Sequence, residues 1–144
     1  MTQSLPPDYA LHVGVPAIAD YLRLRAIAGL TPRSASAAEA GLPNSVFAVE
    51  IRHGGRSIGM GRIVGDGALF VHIVDVAVDP AHQGKGIGRA IVAALLAYIR
   101  ANAPAEIYVS LMANGEAHRL YAQFGFLPVM PDAQGMALWV NAPI

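Results

Sequence analysis

The stretch Val71–Gly88, VHIVDVAVDPAHQGKGIG, decides the fold. An apolar strand runs into a glycine-rich loop that opens a long helix. Gly84, Gly86 and Gly88 can adopt positive φ or let backbone pass close to a ligand, so the loop can turn several N–H groups inward. The helix behind it adds unsatisfied N–H groups and the positive end of its dipole, which together favour a phosphate or pyrophosphate. The junction therefore reads as an anion cradle. A plain turn would not need three alternate glycines, each of which costs backbone entropy.

Working outward, Leu69–Val78 is an almost unbroken apolar run, the pattern of a strand buried on both faces in the middle of a sheet. Gly86–Asn102 places Ile87, Ile91, Leu95 and Tyr98 along one helical face, and Asn102 and Pro104 end it. Beyond it, Glu106–Met112 reads as a strand and Glu116–Phe124 as a helix stopped by Gly125. Phe126–Met130 and Met136–Val140 read as two last strands around Pro131–Gln134. Upstream, Phe47–Arg52 and Ser57–Val64 are strands joined by His53-Gly54-Gly55-Arg56, a hairpin signal. Tyr9–Val13 alternates as a short strand. Pro16–Ala28 has the spacing of an amphipathic helix with Gly29 as its stop, and Ser34–Gly41 reads as a short helix capped by Ser34 or Ser36. This order predicts one α/β domain over residues 1–144, with a mixed sheet and helices on both faces.

The composition excludes several classes. The 144 residues are 54% hydrophobic and 14% charged, which argues against disorder and for large buried or self-associating surfaces. Ten basic and ten acidic residues balance, so no global field draws the chain to nucleic acid or to an anionic membrane. Without cysteine there is no disulfide, thiolate metal site or acyl-cysteine intermediate, and no histidine or carboxylate spacing predicts a metal site. Met1–Ala10 lacks a basic region followed by an apolar run, and the reading is cytoplasmic. Nucleotide motifs fit poorly. The only lysine, Lys85, is followed by Gly86 where a Walker loop needs Ser or Thr, and the G-x-G-x-G spacing is not that of a dinucleotide fingerprint.

Gln83-Gly84-Lys85-Gly86-Ile87-Gly88 resembles the Q/R-x-x-G-x-G/A loop of the GCN5-related N-acetyltransferases (GNAT). As in that family, a V-x-V-x-P strand precedes it, here Val76-Ala77-Val78-Asp79-Pro80. Asn114, Ala117, Tyr121, Gly125 and Phe126 match a second pattern of the family, N-x-x-A-x-x-x-Y-x-x-x-G-F. The two motifs span Val71 to Phe126 in the family's order. The resemblance implies a mostly antiparallel sheet of six to seven strands and direct acetyl transfer from acetyl-CoA to an amine.

It also assigns residues. Val76, Ala77, Val78, Gln83, Gly84, Lys85, Gly86, Ile87, Gly88, Arg89, Asn114, Ala117 and Tyr121 match the cofactor-binding positions. The pyrophosphate falls to the glycine loop, and the N–H of Val76 falls to the thioester oxygen, a donor aimed at developing negative charge. Tyr121 matches the tyrosine that protonates the departing thiolate. His72, four residues before Val76, stands where several members carry a Glu or His base. Imidazoles titrate near neutral pH, which suits that task. Asp75 is the rival base; strict alternation turns it away from His72 unless a bulge shifts the parity. His12, His82 and His118 read as surface residues or cofactor-side contacts.

The family's acceptor pocket maps onto Leu24, Arg25, Leu30, Thr31, Phe47, Phe70 and His72, with Trp139 as a further candidate. Most are apolar, which suits a small amine with a hydrophobic or aromatic body. Arg25 could instead bind the carboxylate of an amino acid or close an internal salt bridge. A sensor that binds acyl-CoA without chemistry is the alternative from another class, and protein or RNA acetylation is a third. The apolar composition and exposed strand edges predict a homodimer.

Overall fold

The computed structural model describes residues 5–141. The chain divides into two compact units, Met1–Leu111 and Met112–Ile144.

Within the first unit, five strands lie side by side in chain order: β1 (Tyr9–Val13), β2 (Phe47–His53), β3 (Arg56–Gly65), β4 (Phe70–Val78) and β5 (Tyr108–Leu111). The first four pair antiparallel; β5 joins β4 in parallel. β2 and β3 form the hairpin that the Gly54–Gly55 pair permits, both glycines taking positive φ. The sheet has five strands among the described residues, where six to seven were expected. Its middle strand is β3, whereas β4, expected at the centre, lies next to the edge.

Three helices flank this sheet: α1 (Ile18–Ile27), α2 (Ala35–Gly41, capped by Ser34) and α3 (Ile87–Asn102). α3 covers one face. Its Ile87, Ile91 and Leu95, spaced four apart, are fully buried, each contributing roughly 1.5–3 kcal/mol by leaving water. The strands make room for it with glycine. A Cβ on Gly61 would sit 2.5 Å from an Ile91 methyl, and one on Gly59 3.2 Å from Ile87 and Ile91. α1 and α2 cover the other face, where Tyr21, Leu24, Ala38 and Leu42 pack with Met60 and Ala77.

The second unit holds α4 (His118–Ala122), preceded by a 3-10 turn at Gly115–Ala117. The two last strands expected at Phe126–Met130 and Met136–Val140 do not form. Their alternation assigns side chains to faces but supplies no neighbouring strand, and the apolar residues stay exposed, Met136 at 89% and Leu138 at 83%.

Candidate active site

The site begins where β4 loses one neighbour. Its pairing with β5 covers Phe70–Ile73, opposite Tyr108–Leu111, so from Val74 to Val78 β3 is its only strand partner among the described residues. In that half the β3 register jumps: Met60 faces Ala77 and Arg62 faces Val74, leaving Gly61 opposite both Asp75 and Val76. This is a β-bulge, and Asp75 takes it with φ of 58°. The bulge shifts the parity of β4, so His72 and Asp75 both point to the face covered by α1 and α2.

Asp75 is not free to act as a base. One carboxylate oxygen accepts from Arg25; the other accepts from Arg62 Nε at 2.6 Å and from the Tyr21 hydroxyl at 2.9 Å. The carboxylate is buried, and two guanidiniums and a phenol satisfy it. Tyr21 in turn has its pKa raised, by burial first and then by the Asp75 charge. A lone acid in an apolar strand needs such a counter-charge, and this is the sequence signal that could have led to Arg62.

His72 is half-buried, its Nδ1 2.9 Å from Ser110 Oγ on β5. Phe70, two residues earlier, meets Tyr108 edge to face and is 64% exposed. Leu24 is fully buried in the α1 layer and Leu30 packs beside it. Thr31 presents its carbonyl to Arg25 Nε and Nη2. The structure thus brings Leu24, Arg25, Leu30, Thr31, Phe70 and His72 to one face of the sheet. Phe47 lies on the other, stacked on Tyr98 of α3 with ring centroids 4.1 Å apart.

Beyond Val78, Asp79 caps a turn at Pro80–His82 and the glycine loop follows. Gln83, Gly84, Lys85 and Gly86 are exposed. Gly84 and Gly86 have φ of 79° and 78°, and a Cβ on either would meet nothing within 4 Å. Gly86 is also the N-cap of α3, with no side chain closing the cap. Open space, left-handed backbone and an uncapped helix start are what a pyrophosphate requires. Gly88 lies inside α3, together with Ile87 and Arg89, so the special backbone is confined to two glycines. Ala77 is buried towards α1, while Val76 and Val78 are half-buried.

One feature beside this loop escaped the sequence reading. Tyr9 Oη lies 2.6 Å from His82 Nδ1, the His53 ring is 4.6 Å from that of Tyr9, and Lys85 Nζ sits 5.9 Å from the Tyr9 centroid. Residues from β1 and the hairpin thereby hold the loop. Nothing in their spacing announces it, because β1 reaches β2 only through long-range pairing. His12 is exposed on β1.

In the second unit, Asn114 precedes the 3-10 turn and its carbonyl accepts from Ala117 N at 3.0 Å. Tyr121 is buried, edge to face with Phe126 at 6.0 Å, and burial raises its pKa. His118 is exposed, with Nδ1 3.1 Å from the Gly115 carbonyl, and Trp139 is 53% exposed. Among the described residues no group of histidines and carboxylates could hold a metal ion, and no helix is long and apolar enough to cross a membrane.

Comparison with known proteins agrees with this geometry. Residues 17–126 match the Acetyltransferase (GNAT) family. A protein of Oryza sativa subsp. japonica named serotonin N-acetyltransferase 2, chloroplastic, is 36% identical over 86 residues, covering 59% of this chain and 42% of the relative. A Glycine max protein named histone acetyltransferase is 34% identical over 87 residues, covering 60% and 36%. The chain therefore spans less than half the length of these relatives. A solved structure from meticillin-resistant Staphylococcus aureus, described as a protein of unknown function and probable acetyltransferase, superimposes with a TM-score of 0.88. It shares 40% sequence identity, over 91% of this chain and 98% of the other.

Proposed function

We propose, from the premise that this chain belongs to the GNAT acetyltransferase family, that residues 1–144 form one N-acetyltransferase domain acting on a small-molecule amine. The acceptor has a hydrophobic or aromatic body or an amino-acid-like carboxylate. One observation carries this reading: β4 parts from β5 after Ile73, bulges at Asp75–Val76, and runs into an open loop with Gly84 and Gly86 left-handed.

Acetyl-CoA supplies a thioester that an amine attacks directly. The backbone N–H groups of Gln83 to Arg89 hold its pyrophosphate, and the unpaired edge of β4 from Val76 to Val78 receives its extended arm as an added strand. Val76 N–H, at the bulge, donates to the oxygen on which negative charge develops. His72 accepts the proton of the incoming amine, directly or through water, with Ser110 fixing its ring. In the second unit Asn114 and Ala117 are assigned to the cofactor. Tyr121 donates a proton to the departing thiolate, and its raised pKa keeps that proton in place through neutral and mildly alkaline pH. Proximity and orientation account for most of the rate.

The test is thiol release from acetyl-CoA across a panel of amines and peptides, for the natural chain and Tyr121→Phe. Turnover on a small amine is expected, reduced about 10²–10⁴-fold in the variant, with acetyl-CoA affinity retained. Binding with no turnover on any acceptor would make the protein a sensor, and turnover on histone-tail peptides alone would move the acceptor to protein. We further propose a cytoplasmic homodimer. Leu127, Met136, Leu138 and Val140, each more than 80% exposed, supply apolar surface for a second copy. A monomer mass by light scattering at micromolar concentration would contradict the dimer.

A further inference from the structure

On the face covered by α1 and α2, a cleft lined by Tyr21, Arg33, Ala37, Ala38, Leu42 and Arg62 holds space of about 100 Å³. A single water needs roughly 10–15 Å³ on such a measure, so the cleft admits a small organic group. Two of its lining residues are arginines and none is an acid. The charge balance beneath it is uneven. Asp75 faces two guanidiniums, those of Arg25 and Arg62, so one negative charge meets two positive ones. Arg25 directs its remaining contacts, through Nε and Nη2, to the Thr31 carbonyl, away from any acid. Arg62 donates through Nε to Asp75 and through Nη1 to Ser45 Oγ at 3.1 Å, and neither bond uses Nη2. The cluster as a whole thus carries one surplus positive charge, and Arg62 is its member that borders the cleft. A largely desolvated cluster with one uncompensated positive charge is costly, and a guanidinium fork matches a carboxylate.

We infer that Arg62 and this cleft receive a carboxylate carried by the acetyl acceptor, which makes the acceptor an amino acid or a similarly compact amino-carboxylate. The inference rests on the acetyl-transfer reading of the site. It transfers to Arg62 the carboxylate-binding role that the sequence offered to Arg25: both arginines pair with Asp75, but Arg25 also commits Nε and Nη2 to the Thr31 carbonyl, and of the two only Arg62 lines the cleft. The register supports the span. Arg62 is opposite Val74 and Val64 is opposite His72, so Arg62 and His72 are diagonal neighbours on one face of the sheet, their Cα atoms about 7–8 Å apart. One small molecule can place its amine beside His72 and its carboxylate at Arg62.

The experiment compares kcat/KM for L-amino acids with those for the matching decarboxylated amines, L-phenylalanine against 2-phenylethylamine being one pair. The chains compared are the natural one, Ala37→Glu and Ala40→Glu. Both substitutions fall at exposed positions of α2, and only the first lines the cleft. In parallel, the Arg62 Nε–H resonance is followed by NMR as L-amino acids are added without acetyl-CoA. We expect the natural chain and Ala40→Glu to prefer the carboxylate-bearing partner by at least about tenfold. Ala37→Glu should abolish that preference while still turning over simple amines. Amine turnover without a carboxylate preference, or a preference that Ala37→Glu leaves intact, would overturn the inference and leave acetyl transfer standing. If no amine is turned over, acetyl transfer fails and the resonance decides the cleft: movement with amino acids supports it and stillness overturns it.

Discussion

Under α3, the sheet offers Gly59 and Gly61 to Ile87, Ile91 and Leu95; under α1, it offers Asp75 and Arg62 to Tyr21 and Arg25. The first face is held by shape and lost water, the second by a buried charge with three partners. Packing of the α3 kind tolerates little change of volume. The opposite face keeps charge, clefts and the half-buried His72, and the proposed chemistry belongs there. The difference teaches that one sheet can divide its labour: α3 packs against β2, β3 and β4 from one side, while on the other the bulge at Asp75 shapes what β4 presents.

The sharpest way to break this comparison is Asp75→Ala. It leaves Arg25 and Arg62 buried without their counter-charge, and we expect a loss of about 3–5 kcal/mol in denaturant unfolding. A loss below about 1 kcal/mol would show that the polar face is not held by its ion pairs. On the opposite face, Leu95→Ala should cost about 2–5 kcal/mol through a cavity under α3. It should leave amine selectivity unchanged, because Leu95 touches neither cleft nor loop.

A smaller effect concerns alkaline pH. The folded-state pKa of Tyr21 lies above the ordinary tyrosine value of about 10. A group whose pKa is raised by folding contributes stability fully below its unfolded value, and that contribution falls as pH rises beyond it. Stability should therefore decline above about pH 10, and Tyr21→Phe should flatten the decline while losing the hydroxyl's bond to Asp75. Unfolding midpoints at neutral pH and on either side of pH 10 would show this. Tyr121, also raised by burial, adds to the same limb, so the flattening should be partial.

These two faces were not equally legible. The spacing of Ile87, Ile91 and Leu95 gave α3 to within one residue, since a helix writes its buried face into its own sequence. Five strands were legible for the same local reason. The bulge entered only as an exception to strict alternation, and its conformation was not legible: Asp75 in left-handed backbone bonds partners on α1 and β3 that lie 50 and 13 residues away. Strict alternation gives way there, and His72 and Asp75 share a face, as the exception for a bulge allowed. Met136–Val140 failed in the opposite sense, because an alternating run states which way side chains point and not what the backbone pairs with. The glycine loop could be read because Gly84 and Gly86 use positive φ, for which glycine is the natural residue.

The central claim is that this loop, at the end of the bulged strand, holds acetyl-CoA. Calorimetric titration of the purified chain with acetyl-CoA, with Gly86→Glu beside it, tests that claim most directly. The substitution sets a carboxylate on a left-handed cap position in open space, at a backbone cost of about 1–2 kcal/mol. The account predicts micromolar binding by the natural chain and its loss in a variant that circular dichroism shows to be folded. No binding by the folded natural chain up to millimolar acetyl-CoA, or equal binding by both, would contradict it.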